Sequence, residues 1–249
     1  MFKVVWLGKL KQGMDRDASW THLRDVHAPL VRAVPQVDAY VQSFATSVLT
    51  HRSIGAGFEP GPEDPPLGFD FYSAIWYRDE AAFRDSLRTD EWASASADAA
   101  DVLDLESFGG NSSVVDARTI IDGGFGPLKT VYVMRFKEEI ASDPQRTREA
   151  HEYWIQTHGH RFGVAVPGIS RYVQNHVVAP LGADGTDDSI PMAICGLSEC
   201  WFEDAAAHEL AMASPEWLTM NKDAENLFDT AWSMAGMCAV IEENVVLDS

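Results

Sequence analysis

The chain has 249 residues, 46% of them hydrophobic and 23% charged, with a formal net charge of −19. That balance describes a soluble globular protein able to bury a core, and the charge opposes nucleic acid and anionic membrane surfaces. No stretch approaches the roughly 20 apolar residues of a membrane span, and MFKVVWLGKLKQG at the N-terminus lacks the apolar run and cleavage site of a secretion signal.

Taken in chain order, a β-rich run at 2–10 (FKVVWLGKL) opens the sequence, heavy in Val, Trp and Leu. An amphipathic helix is predicted over 17–33, ending before Pro35 because proline disfavours helical geometry in the residue before it. A strand through Tyr40 follows, then SIGAGFEPGPEDPPLG (53–68), a Gly/Pro-rich insertion read as a surface loop or lid. A third strand (69–77), a helical region (79–105) and a strand at 113–121 complete the first half. DGGFGP (122–127) reads as a linker. The second half repeats the order: a strand at 129–136, a helix over 144–164 capped by Ser142 or Asp143, a strand through Tyr172, a strand at 191–202, a helical region at 203–230 and a strand at 235–247.

The halves are related as copies. WYRDEAAFRDSLRTDEW aligns without a gap on WFEDAAAHELAMASPEW, so that Trp76, Asp79, Trp92, Asp98 and Asp104 fall on Trp201, Asp204, Trp217, Asp223 and Asp229. Upstream, His27, Pro35 and Tyr40-Val41-Gln42 fall on His158, Pro167 and Tyr172-Val173-Gln174. Duplication is the economical explanation. The predicted fold is α+β: two tandem βαββαβ units, 1–121 and 129–249 joined by 122–128, packed sheet to sheet as an intramolecular barrel.

Chemistry is sought where copies agree or differ. His27 and His158 end the first helix of each half, and a neutral imidazole there can take and return a proton near neutral pH. The inert alternative is a histidine favoured by the helix dipole. His160 has no counterpart and, two residues on, shares no face with His158. Strand alternation sends Tyr172, Gln174 and His176 to one face, and a tyrosine hydroxyl there can donate to a developing oxyanion. Aromatic packing is the alternative, most of all for Tyr40. Glu199 stands where the first half has Ala74; buried beside aromatics it would have a raised pKa and serve as acid or base, while a solvated edge-strand glutamate is the bland reading. Ser214 and Thr89 read as N-caps; Asp98 and Asp223 could orient a neighbour, with a solvated helix face as the favoured reading. Cys195, Cys200 and Cys238, odd in number and in apolar surroundings, read as reduced core thiols of a cytoplasmic protein. No C-x-x-C or H-x-x-x-H pair suggests zinc.

EYWIQTHGHRFGVAVPGISRYVQNHVV with LSECWFEDAAAHELAMASPEWLTMNKDAENLFD resembles an EthD domain of the dimeric α+β barrel superfamily, and LRDVHAPLVRAVPQVDAYVQS with IWYRDEAAFRDSLRTDEW resembles the same domain. The resemblance implies cofactor-free proton transfer on hydrophobic ring compounds, with haem chemistry as the alternative found among relatives. It implies a pocket lined by a helix histidine, a strand tyrosine and a following histidine, which fall on His158, Tyr172 and His176. Phe44 and Ala74 replace His176 and Glu199 in the first half, so the C-terminal half is expected to be the active one. The expected catalytic set is His158, Tyr172, His176 and Glu199, with Trp201, His27, Tyr40, Trp154 and Gln174 around the substrate. The expected function is a cofactor-independent lyase or isomerase (decarboxylation, dehydration, or lactone or double-bond isomerisation) on an aromatic-derived catabolic intermediate. The rivals are a haem-dependent dehydratase or peroxidase and a non-catalytic small-molecule binder. The expected partners are the substrate and, as an option, a second copy of the chain.

Overall fold

A computed structural model describes residues 1–49, 66–104, 112–182, 185–187, 189–190 and 193–247. Up to residue 65, the insertion expected at 53–68 lies outside the described residues. In the N-terminal half, strand β1 (Phe2–Leu10) leads into helix α1 (Arg16–His22), a π-helical turn (Leu23–His27) and α2 (Ala28–Ala33). Strands β2 (Val37–Val48) and β3 (Phe71–Tyr77) follow, then α3 (Glu80–Ser86), α4 (Asp90–Val102), the short β4 (Leu103–Asp104) and β5 (Ser112–Ile121). The C-terminal half runs β6 (Leu128–Met134), α5 (Glu138–Ala141), α6 (Pro144–Tyr153), a π-helical segment (Trp154–Phe162), β7 (Ile169–Gly182), the short β8 (Gly185–Thr186) and β9 (Gly196–Phe202). It ends with α7 (Ala205–Ala213), α8 (Pro215–Ala224), α9 (Thr230–Met234) and β10 (Cys238–Leu247).

Matching side chains start matching helices. Asp79 and Asp204 accept the N–H groups of Ala82 and Ala207, and Thr89 and Ser214 accept those of Trp92 and Trp217. The first helix of each half is not α-helical throughout, as expected from its pattern, but carries a π-helical stretch. The physical reason lies across the fold: the carbonyls of Leu23 and Trp154, loosened from the regular ladder, accept Gln42 Nε2 at 2.8 Å and Gln174 Nε2 at 3.1 Å. The same amides hold the strand tyrosines.

The long strands pair antiparallel in the order β3-β2-β10-β6-β9-β7-β5-β1, and β1 also pairs β3, so the sheet closes on itself. Within this ring the N-terminal strands run β5-β1-β3-β2 and the C-terminal strands β10-β6-β9-β7. Hydrogen-bonded seams β2–β10 and β5–β7 join them. The expected intramolecular barrel is present, but as one closed sheet and not as two sheets packed face to face: the edge strands of each half would otherwise leave unpaired backbone groups, and pairing them with the other half removes the long edges among the described strands.

Closure divides the core in two. Val5, Leu7, Val131, Val133 and Leu197 point into the barrel, while the outer face of the sheet packs under helices, around Trp154, Tyr172 and Trp217 in one half and Tyr40, Ile75 and Phe83 in the other. Among the described residues no helix is long and apolar enough to cross a membrane.

Candidate functional site

His27 ends the first π turn, 6% exposed, with Nδ1 3.0 Å from Asp98 Oδ2 on α4. The other carboxylate oxygen of Asp98 lies 2.8 Å from His22 Nε2, so both imidazoles hold one carboxylate. Donation by His27 Nδ1–H leaves the Nε2 lone pair as the basic atom. Burial lowers the pKa of His27, and Asp98 opposes this only in part; the ring is neutral at pH 7, as a base must be. Tyr40, mid-strand on β2 and 1% exposed, accepts Gln42 Nε2 at 3.1 Å. Burial raises its pKa, so the hydroxyl keeps its proton, and among the described residues that proton has no acceptor. His27 and Tyr40 both line a cavity of about 110 Å³ between helices and sheet, walled by Trp6, Phe71, Ile75, Trp92 and Leu103.

The C-terminal half rebuilds this arrangement. His158 Nδ1 is 2.9 Å from Asp223 Oδ2, and Tyr153 donates to Asp223 Oδ1 at 2.6 Å from the position that His22 holds in the first copy. Burial works against the Asp223 carboxylate, but hydrogen bonds from His158 and Tyr153 outweigh it and keep the pKa low. Tyr172 accepts Gln174 Nε2 at 2.9 Å and lies 3.3 Å from Ser198 Oγ; burial pushes its pKa up to about 12. This cavity, however, measures only about 40 Å³. Side-chain size accounts for the difference: Met134, Met220 and Phe228 wall the smaller cavity, where Gly8, Ala95 and Leu103 wall the larger. The same polar groups are present in both halves, and larger side chains fill one of them. Replacing Met220 with alanine should open that space, lowering stability by about 2–5 kcal/mol and creating an apolar void that takes up xenon or benzene. Thermal denaturation and a xenon-pressurised crystal test this, and an unchanged Tm without xenon uptake counts against the filled-pocket account.

The other expected site residues separate. His176 shares the face of Tyr172 but is absent from the cavity wall: its ring packs 4.3 Å from that of Trp154, Nδ1 lies 2.9 Å from His151 Nδ1, and Nε2 lies 3.1 Å from Gln174 Oε1. Burial, reinforced by His151, lowers its pKa to about 3, so it stays neutral. Trp154 is 0% exposed and packs in the core against Phe136 and Phe228. Gln174 positions Tyr172. His160 is exposed.

Glu199 requires a correction. In the β7–β9 register Tyr172 stands opposite Cys200 and Val173 opposite Glu199, so the carboxylate points into the barrel while the tyrosine faces the helices. Nor is its pKa raised: burial would raise it, but Lys129 and then Lys3 prevail and bring it down to about 2. Trp201 goes with it, lining the interior with Nε1 donating to Glu243 Oε2 at 3.1 Å. Asp98 and Asp223, for which the sequence favours solvation with orienting a neighbour as the alternative, hold His27 and His158. The available signal was their coincidence in both copies alongside coincident histidines.

Among the described residues no cluster of His, Cys, Asp or Glu has the arrangement to hold a metal ion. Among the described residues the helix–sheet cavities are far below the roughly 300 Å³ that a drug-sized ligand needs, and the wall of the larger barrel cavity includes no histidine.

A sequence model of the EthD domain matches residues 11–106 and 143–231, one segment in each half. No curated protein matches the chain. Among solved structures, a candidate monooxygenase of Fusobacterium nucleatum is similar over 98% of this chain and 92% of its own, at 12% identity and TM-score 0.54. An anthrone oxidase-like protein is similar over 99% and 94%, at 11% identity and TM-score 0.54. An EthD family protein of Bacillus halodurans matches 42% of this chain and 94% of its own, at 24% identity and TM-score 0.30. At these identities the first two likenesses speak to the fold, an α+β barrel spanning nearly the whole chain.

Proposed function

This chain belongs to the EthD domain family, and we propose that its N-terminal cavity is the reactive site of a cofactor-independent lyase or isomerase. The observation that carries this is the convergence of His27, held by Asp98, and Tyr40 on the larger of the two helix–sheet cavities among the described residues. We take the two halves as tandem copies of a ferredoxin-like unit, supported by their matching strand order. In the second, His158 and Tyr172 keep the arrangement without the space. His158, Tyr172 and His176 then serve that half's structure, and Glu199 serves the barrel interior.

In the proposed step, His27 Nε2 takes a proton from carbon next to a carbonyl, or from a ring hydroxyl, and Asp98 stabilises the imidazolium that forms. Tyr40 donates its free proton as a hydrogen bond to the oxygen on which negative charge develops, in an apolar wall that strengthens the interaction. Return of the proton to another carbon gives isomerisation; loss of a leaving group gives elimination. A void of about 110 Å³ compares with the roughly 150 Å³ that accepts benzene, so the substrate is a single ring or smaller. The three buried free thiols suit a reducing compartment such as the cytoplasm.

The test is solvent deuterium incorporation into a panel of enolisable single-ring carbonyl compounds, followed by NMR. The native protein should catalyse exchange with at least one of them. Ala95→Met, which builds into the first half the side chain that fills the second, should abolish it. Saturable binding without exchange would make the protein a binder, and exchange undiminished by Ala95→Met would place the chemistry elsewhere.

A further inference from the structure

On the other face of the sheet, inside the ring, lies a cavity of about 490 Å³, a volume typical of small-molecule sites. Barrels of about eight strands are just wide enough for side chains to fill or to hold one small ligand. Here Ala39, Ala74 and Ala117 leave the interior unfilled. The rim is apolar: Met1 is 81%, Phe125 71% and Val245 57% exposed, and all three border the opening. The depths are charged. Lys129 Nζ is 2.6 Å from Glu243 Oε1 and also bonds Glu199, whereas Lys3 Nζ has Asn175 Oδ1 at 2.7 Å and Glu199 only at 3.5 Å.

The chain carries 19 basic and 38 acidic residues, yet this wall holds Lys3, Lys129 and Arg171 against Glu199 and Glu243. Arg171 Nη1 is paired in turn with Asp122 at 2.7 Å, so the charges here balance in an otherwise strongly negative protein. Two buried donors there also lack partners among the described residues: the Tyr72 hydroxyl, on a side chain 1% exposed, and Arg171 Nε. Buried donors are normally satisfied. Burial, more than any neighbour, holds the Lys3 ammonium below its usual range, and an anion brought against it relieves that cost. A scaffold alone would not need such a network, since apolar residues of similar volume are often as stable.

We propose that the barrel interior is a second ligand site, for a small amphipathic carboxylate whose head meets Lys3 and whose apolar body passes Trp76 and Trp201 to the mouth at Met1 and Phe125. Octanoate is the probe, titrated into the full chain by calorimetry and tryptophan fluorescence, with octanamide as its uncharged twin. One octanoate should bind per chain, about tenfold more tightly than octanamide, because charge-assisted hydrogen bonds exceed neutral ones by roughly that factor. Lys3→Met should remove the preference for the acid, and Ala74→Trp should occlude the space. Ala95→Met, which fills the helix–sheet cavity instead, should leave octanoate binding unchanged and so separates this site from the proposed reactive one. Equal binding of acid and amide by the native protein overturns the proposal. So does native-like binding by folded Lys3→Met, loss of binding in Ala95→Met, or the absence of saturable octanoate binding.

Discussion

Replacing His27 with glutamine should lower turnover by about 10²–10⁴-fold, the usual worth of a positioned general base, while the same change at His158 should leave it nearly unchanged. Both imidazoles are buried and both hold an aspartate, at 3.0 and 2.9 Å. They differ in what they face: about 110 Å³ of space at His27 and about 40 Å³ at His158. A base without room for substrate contributes nothing to rate, however well it is oriented. The pH profile should carry the same signature. Burial lowers the His27 pKa from 6.5, and the neutral ring is the active form. Activity should therefore persist below pH 6.5 and fall only as pH drops through the lowered value. Steady-state kinetics of His27→Gln and His158→Gln, with circular dichroism to confirm folding, check the asymmetry. Greater loss in His158→Gln would return the reactive role to the C-terminal half.

The second large effect concerns stability. Glu199→Leu should cost about 3–5 kcal/mol, because it leaves buried lysines without their shared counter-charge, and should lower Tm by roughly 6–20 °C for a chain of this size. The side chains of Lys3 and Lys129 are 7% and 3% exposed, so hydration only partly replaces the lost carboxylate. Replacing Lys3, Lys129 and Glu199 together by Met, Met and Leu should recover much of the loss, since the charges are then removed along with their desolvation. The sign of the pH dependence follows from the depressed pKa. Glu199 titrates near 2 when folded against 4.5 as a free side chain. Its contribution is thus complete above pH 4.5 and is lost as pH falls from 4.5 toward 2. Acid denaturation of the native protein should steepen in that window, and the gap between native and Glu199→Leu should close at its lower end. A gap independent of pH would show that packing, not charge, accounts for the loss.

Much of this organisation is local and therefore legible. Hydrophobic periodicity and proline positions mark the helices and strands, the repeated Asp and Ser/Thr residues mark helix starts, and coincidence between copies singles out His27, His158, Tyr40 and Tyr172. Alternation along β9 correctly separates Glu199 and Trp201 from Ser198 and Cys200, but period-2 patterning says nothing about which face meets the tyrosines of β7. That depends on register, and pairing of Tyr172 with Cys200 sends Glu199 to the barrel interior. Closure of the sheet is equally remote from local signals, since the seams β2–β10 and β5–β7 join strands from opposite halves.

The role of Asp98 and Asp223 was visible only as coincidence, because a helix-face aspartate reads as solvated until the neighbouring helix brings a histidine to within 3.0 Å. By itself, the sequence determined the duplicated order of elements and the residue types offered to each site. Only the tertiary structure decided which half has room for a ligand. A cavity is a small difference between the space the backbone encloses and the side chains that fill it, and Gly8 and Ala95 against Met134 and Met220 acquire that meaning only when strand and helix are packed together.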